Sequence, residues 1–201
     1  MNNLNWSRCP YVVIDVEGNG QEPHDLIEIA TVQIIDRQVQ PAKSWGVRPL
    51  RPIVDRVISI HGITNEMAAA FEPWSANANE ILAEMEGRVV VGHNVGVDAR
   101  VIARTEQDWR PLALIDTLAL AKHVLPGRKE YSLRALVSDL LPDSAGWNQH
   151  RAADDALVTA CLFIRLASML EEKIDLTFLT LAQIARAGGD TYLKSQQGSL
   201  F

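Results

Sequence analysis

Two acids two residues apart, Asp15 and Glu17, stand at the end of the apolar run YVVIDV. If that run is a strand, alternate side chains share a face, and both carboxylates address one spot beside a loop holding Gly18 and Gly20. Paired buried carboxylates repel unless a cation lies between them, and hard oxygen ligands suit Mg²⁺ or Mn²⁺. A solvated strand end with two acids is the alternative, and the pair alone does not decide. Asp98 follows the segment VVVGHNVGV and falls in the first turn of an expected helix, where simply complementing the macrodipole would explain it. His150 precedes a long helical pattern whose first turns carry Asp154 and Asp155. Ala152, Ala156 and Ala160 recur every fourth residue as a small, close-packing stripe. Asp155 adjoins that stripe and can project towards a sheet, whereas Asp154 faces solvent. Acids favoured by a helix N-terminus are again the alternative.

The elements that must position these residues follow from apolar periodicity. Strands are predicted over 11–16, 28–35 and 43–48, with a loop over 17–24. Short polar turns between them suggest an antiparallel meander. The pattern then changes to helices over 64–70 and 76–86, a strand over 89–92, a helix over 97–105, a strand over 112–115 and a helix over 117–124. Further helices are predicted over 132–140, with Ser132 as N-cap, over 152–170 and over 176–187, where Gly188 and Gly189 end the pattern. This order predicts an α/β fold, a mixed sheet with helices packed on it, in a single domain over 1–187 and a short polar tail over 188–201.

The chain of 201 residues is 47% hydrophobic, enough for a buried core, and no apolar run nears the length of a membrane span. The first residues lack the apolar stretch of a secretory signal. Cys9 and Cys161 stand far apart in no metal-like spacing, which fits free thiols in a reducing cytoplasm. The formal net charge of −6 argues mildly against tight nucleic-acid binding, but bound divalent cations would reverse the local sign at an acidic cluster.

Taken together, the segments resemble the DEDDh, or DnaQ-like, 3′→5′ exonucleases, which include the proofreading epsilon subunit of bacterial DNA polymerase III. The resemblance runs over about 11–170. Asp15-Val16-Glu17 matches the first motif, D-x-E, and GHNVGVD ending in Asp98 matches the second. His150, Ala152 and Asp155 match the third, H-x-A-x-x-D, which selects Asp155 over Asp154. IHGIT over 60–64 resembles a family loop, and the segment over 115–136 is similar to the epsilon type. Ordered agreement of several segments is more specific than any one short motif.

The resemblance implies a ribonuclease H-like fold with a five-stranded mixed sheet. It implies two divalent cations, Mg²⁺ or Mn²⁺, held by Asp15, Glu17, Asp98 and Asp155. Asp15 would bridge the cations, Glu17 and Asp155 would hold one, and Asp98 would help position the other, partly through water. His150 would be the general base. The implied reaction is hydrolysis of the terminal phosphodiester, releasing nucleoside 5′-monophosphates from nucleic-acid 3′ ends, with DNA favoured over RNA. Substrate contacts are expected from Gly18, Asn19, His61 and Asn94. Many relatives carry Thr or Ser where this chain has Gly18, which places the contact to the terminal 3′ hydroxyl in question.

Outside the motifs, Asp116 fits either helix capping or support of the site, and Lys122, Arg128 and Lys129 form a small basic patch that suits phosphate or plain solvent. Trp147 suits base stacking or packing. The C-terminus, with Gln197, Ser199, Leu200 and Phe201, resembles the bacterial sliding-clamp-binding pentapeptide, with Gly198 where Leu is usual. Folding of Leu200 and Phe201 back onto the domain is the alternative. An exoribonuclease and a catalytically silent nucleic-acid-binding module are the competing functions; the presence of all four acids and the histidine weighs against the silent module.

Overall fold

The computed structural model describes residues 4–144, 147 and 149–186. The tail bearing Gln197, Ser199, Leu200 and Phe201 lies outside them. The sheet is built around β1 (Tyr11–Gly18), whose first four residues are buried because it is a central strand covered on both faces. β2 (Leu26–Ile35) pairs with it antiparallel, and β3 (Gln38–Val39) and β4 (Lys43–Gly46) both pair antiparallel with β2. On the other side of β1, β5 (Val89–Gly92) and β6 (Leu114–Asp116) run parallel to it. The mixed sheet expected from the sequence is therefore present, with six strands among the described residues rather than five. The extra strand is β3, two residues long, created by a tight turn in which Asp36 and Arg37 both have positive φ.

β1 also runs two residues further than expected. Its ladder with β2 continues through Glu17↔Glu28 and, after a bulge, Gly18↔Leu26. Glu17, expected in the loop, therefore lies within the strand together with Asp15, held by its pleat.

The helices are α1 (Asp55–His61), α2 (Asn65–Ala69), α3 (Trp74–Met85), α4 (Gly96–Thr105), α5 (Thr117–Val124), α6 (Leu133–Leu140), α7 (Ala152–Glu171) and α8 (Phe178–Ile184). α1 falls between the predicted strand over 43–48 and the predicted helix over 64–70, where no element is expected from the sequence. It ends at Gly62, whose φ of 76° forms a left-handed cap and whose N–H bonds the Ile58 carbonyl. The predicted cap of α6 is present: the Ser132 hydroxyl accepts from the Ala135 N–H.

Two apolar layers flank the sheet. Tyr11 and Val13 of β1 join α5, α7 and α8 on one face, and the Phe163 ring packs edge-on against Tyr11 at 4.9 Å and Trp6 at 5.8 Å. Val12 and Ile14 join α3 and α4 on the other face. The Ala152, Ala156 and Ala160 stripe is fully buried, so α7 approaches the sheet closely and carries its first turn to the end of β1.

Candidate active site

The site opens where β1 outlasts its parallel neighbour. β5 pairs with β1 only over Tyr11–Val13, and beyond that the β1 edge is free of the sheet. The Asp98 carboxylate, from the first turn of α4, takes up that edge: its Oδ1 accepts the Val16 N–H at 3.1 Å. Crevices at the carboxyl ends of strands are the usual ligand positions in such sheets.

Asp15 and Glu17 share the face of β1 that looks to α7, and α7 brings Asp155 to them. Carboxylate oxygens of these three residues all lie within 4.8 Å of one another. Asp154 is not in the group; one residue along a helix is a rotation of about 100°, enough to turn it away. Asp98 stands outside this mutual grouping but close enough to act on Asp15 electrostatically.

The charge state of the cluster shows how strongly it calls for a cation. Burial, then Asp98, Glu17, Asp155 and Glu28, hold the Asp15 pKa well above the carboxylate range. Burial and the facing acids push Glu17 up to about 8. Burial raises Asp98 to about 7 against the backbone hydrogen bonds that favour its anion. Asp155 is raised by burial, with the Trp147 and His150 hydrogen bonds opposing. Oxygen donors of this number, convergent and mutually repelling, fit a hard divalent cation, which would neutralise them together.

Around the cluster are groups that the motifs do not name. The Trp147 indole N–H donates to Asp155 Oδ1 at 2.6 Å, and the His150 backbone N–H donates to Asp155 Oδ2 at 3.1 Å. His150 itself is exposed, with φ of 66°. Glu28, cross-strand from Glu17, accepts from Arg151 Nη2 at 3.0 Å and from the Ala152 N–H at 3.2 Å. It thereby caps α7, whose N-cap residue Arg151 makes no side-chain cap of its own. Glu28 is the one acid in the apolar strand LIEIATVQII, an anomaly visible in the sequence. The indole contact of Trp147 left no such signal.

The expected substrate residues divide. Gly18 and His61 line one cavity of about 180 Å³ next to Glu17, with Val57, Ile60 and Val97 as apolar walls. Asn19 is not presented there. It is fully buried, its N–H bonds the Asp25 carbonyl, and its side chain is spent on Asp25, Gln21 and Arg51. Its N–H and side chain are engaged in building the loop, and it does not line the cavity. Asn94 is exposed on the turn before α4, with φ of 62°, and its N–H bonds Asp116 Oδ1 at 2.8 Å. Asp116 also caps α5 through the Leu118 N–H, which accounts for its position. Arg128 of the basic patch is turned onto Ala135, Glu130 and Asp139.

Comparison with known proteins agrees with this geometry. Residues 12–163 match the family model described as "Exonuclease". The PolC-type DNA polymerase III of Thermotoga petrophila is 36% identical over 183 residues, 87% of this chain; the chain spans 13% of that relative's length. The DNA polymerase III subunit epsilon of Aquifex aeolicus is 31% identical over 80% of this chain and 81% of its own length. The solved structure of Exonuclease X in complex with 5′ overhanging duplex DNA superposes with a TM-score of 0.71 at 30% identity, covering 87% of this chain and 99% of that one.

Proposed function

The chain belongs to the DEDDh exonuclease family of metal-dependent nucleases, and from that premise we propose that it removes nucleotides one at a time from the 3′ ends of DNA by two-metal hydrolysis. The observation that carries this reading is the convergence of Asp15, Glu17 and Asp155 within 4.8 Å, with Asp98 fixed to β1 beside them. Asp15, central to the cluster, would bridge two cations, Mg²⁺ or Mn²⁺; Glu17 and Asp155 would complete one site and Asp98 would support the other. Cations held by these residues would supply Lewis acidity and charge stabilisation for displacement at phosphorus.

The chain's own groups do the rest. His150, exposed at the cluster's edge and linked to Asp155 through its backbone, removes the proton of the attacking water. Trp147 and the His150 N–H favour the Asp155 anion against the opposing effect of burial and fix its orientation. Gly18 and His61 receive the terminal nucleotide in the cavity beside Glu17, where apolar walls suit a base. DNA is favoured because the epsilon subunit and the DNA-bound Exonuclease X are among the similar proteins.

The terminal peptide with Gln197, Ser199, Leu200 and Phe201 would tether the enzyme to a sliding clamp, raising its local concentration at DNA ends and offsetting the net charge of −6. No helix among the described residues is long and apolar enough to cross a membrane, and free Cys9 and Cys161 support placement in the cytoplasm. The purified protein with Mg²⁺ or Mn²⁺ on 5′-labelled DNA and RNA oligonucleotides tests the activity. A ladder shortening from the 3′ end of DNA supports it, whereas internal cuts or RNA-only cleavage contradict it. Deleting 197–201 tests the tether: clamp binding lost at unchanged thermal stability supports it, and no clamp binding by the intact chain refutes it.

A further inference from the structure

The cavity beside Glu17 has a polar edge that the family motifs leave unexplained. Besides Gly18 and His61 it is lined by His24. Each of the two imidazoles has a shielded ring nitrogen, His24 Nδ1 and His61 Nε2, without a hydrogen-bond partner. Buried orphaned polar atoms are costly, and in a binding cavity they point to a ligand that satisfies them.

The chemistry of the two nitrogens is opposite. His61 Nδ1 accepts the Ile63 N–H at 3.0 Å, and burial lowers the ring's pKa, so the neutral ring carries its proton on Nε2 and is a donor there. His24 Nε2 lies 3.6 Å from Glu22 Oε1, and in the neutral tautomer with the proton on Nε2 the ring offers Nδ1 as an acceptor.

His24 also fills the space that Gly18 leaves. A Cβ on Gly18 would stand 3.1 Å from His24 Cβ, 3.3 Å from its Cγ and 3.5 Å from its Nδ1. The His24 side chain thus packs tightly against the place where a residue-18 side chain would begin. Its loop is firmly held. Arg104 Nη2 donates to the His24 carbonyl at 3.0 Å, Arg51 binds the Pro23 carbonyl and Asp25, and buried Asn19 bonds Asp25.

We propose that His24 is a specificity-determining residue of the terminal-nucleotide pocket: its Nδ1 accepts the hydrogen bond of the free 3′ hydroxyl, replacing a side-chain contact that Gly18 lacks. Because Nδ1 is shielded beside Gly18, this contact requires the His24 ring to turn towards the cavity, while His61 Nε2 donates to the same nucleotide from another wall. An alcohol can donate to Nδ1; a terminus without that hydroxyl cannot. This deepens the proposed exonuclease reading and rests on the same cavity.

The test compares thymidine 5′-monophosphate with 2′,3′-dideoxythymidine 5′-monophosphate, which lacks the 3′ hydroxyl. Calorimetry with Mn²⁺ measures their binding to wild type, His24→Ala, Gly18→Ser and the double variant, alongside hydrolysis of 5′-labelled DNA. Wild type should bind the hydroxyl-bearing nucleotide about 10-fold more tightly, the size of one hydrogen bond. His24→Ala should lose that preference and raise KM for DNA about 10-fold, with kcat and Mn²⁺ affinity little changed. Gly18→Ser should be impaired by collision with His24. In the double variant the serine hydroxyl gains room and should restore most of the preference, so the two substitutions are non-additive. Equal preference in wild type and His24→Ala, or a double variant no better than either single, overturns the proposal. Lost Mn²⁺ affinity or a lowered melting temperature in His24→Ala accompanied by an intact preference also overturns it. Hydrolysis is scored separately: discrimination without any 3′→5′ cleavage by wild type would sustain the hydroxyl contact while removing the exonuclease reading.

Discussion

Trp147 donates its indole N–H to Oδ1 of Asp155 across 2.6 Å, tying the loop before α7 to the acid that α7 delivers to the cluster. A charge-assisted bond of this length favours the carboxylate anion and fixes the rotamer of a metal-ligand candidate. Trp147→Phe keeps the ring but removes the donor. Divalent-cation affinity, measured by calorimetry, should fall about 10–100-fold, as is typical when a partner of a metal ligand is lost. Unchanged affinity would show that the indole only fills space.

Glu28 couples the sheet to α7 by accepting from Arg151 and the Ala152 N–H. Arg151 is 44% exposed at its side chain, so the ion pair itself is screened and the buried carboxylate's bond to the helix N-terminus matters more. Glu28→Ala should lower stability by about 1–3 kcal/mol in urea unfolding, the range for a buried hydrogen-bonding group that loses its partner. A neutral outcome would remove Glu28 from the anchoring of Asp155.

The raised carboxyl pKa values set a stability profile in the absence of cations. Unfolded Asp and Glu titrate near ~3.9 and ~4.3. In the folded chain Glu17 is raised to about 8 and Asp98 to about 7. The native state therefore holds more protons between those limits, and its stability falls with rising pH. The contribution is complete below about pH 4 and is lost as pH rises through about 7 to 8. Melting temperature in EDTA should decline across that window, and saturating Mn²⁺ should reverse the decline because it binds the deprotonated cluster. A flat EDTA profile contradicts these protonation states.

His150→Ala should reduce kcat by about 10²–10⁴-fold, the usual contribution of a general base, with little change in cation affinity. Activity should recover partly at high pH, where hydroxide replaces the lost base. Asp154→Ala is the neighbouring comparison and should be mild, since Asp154 lies outside the carboxylate group. Full activity in His150→Ala would remove it from the reaction.

Legibility of the sequence differed by the kind of information each element carries. β5 and α5 have their full extents in local patterns, and the Ser132 cap needs only its own hydroxyl and Ala135. α1 has no side-chain cap at Val54 and spans seven residues, so it lacks the signals that mark a helix start. The β2–β3 turn uses Asp36 and Arg37 at positive φ where Asn-Gly is the familiar signal, so the sequence carries no hairpin signal for β3. Strand alternation puts Asp15 and Glu17 on one face, but local spacing leaves solvent and helix-dipole readings open for them, Asp98 and Asp155; it is the resemblance to the family motifs, in order along the chain, that singles out the four. Asn19, Trp147, Glu28 and His24 act through partners set by tertiary structure, which no local spacing encodes.

The central claim is that the cluster around Asp15 holds the cations that perform hydrolysis. Asp15→Ala removes its middle carboxylate and relieves repulsion from Asp98, Glu17 and Asp155, so the fold should persist with an equal or higher melting temperature in EDTA. The decisive measurement is degradation of a 5′-labelled DNA oligonucleotide by wild type and Asp15→Ala, each with Mn²⁺ and with EDTA. The account predicts a 3′→5′ ladder from wild type with Mn²⁺ alone, and nearly none from the folded variant. Substantial 3′→5′ cleavage by Asp15→Ala, or by wild type in EDTA, would contradict it.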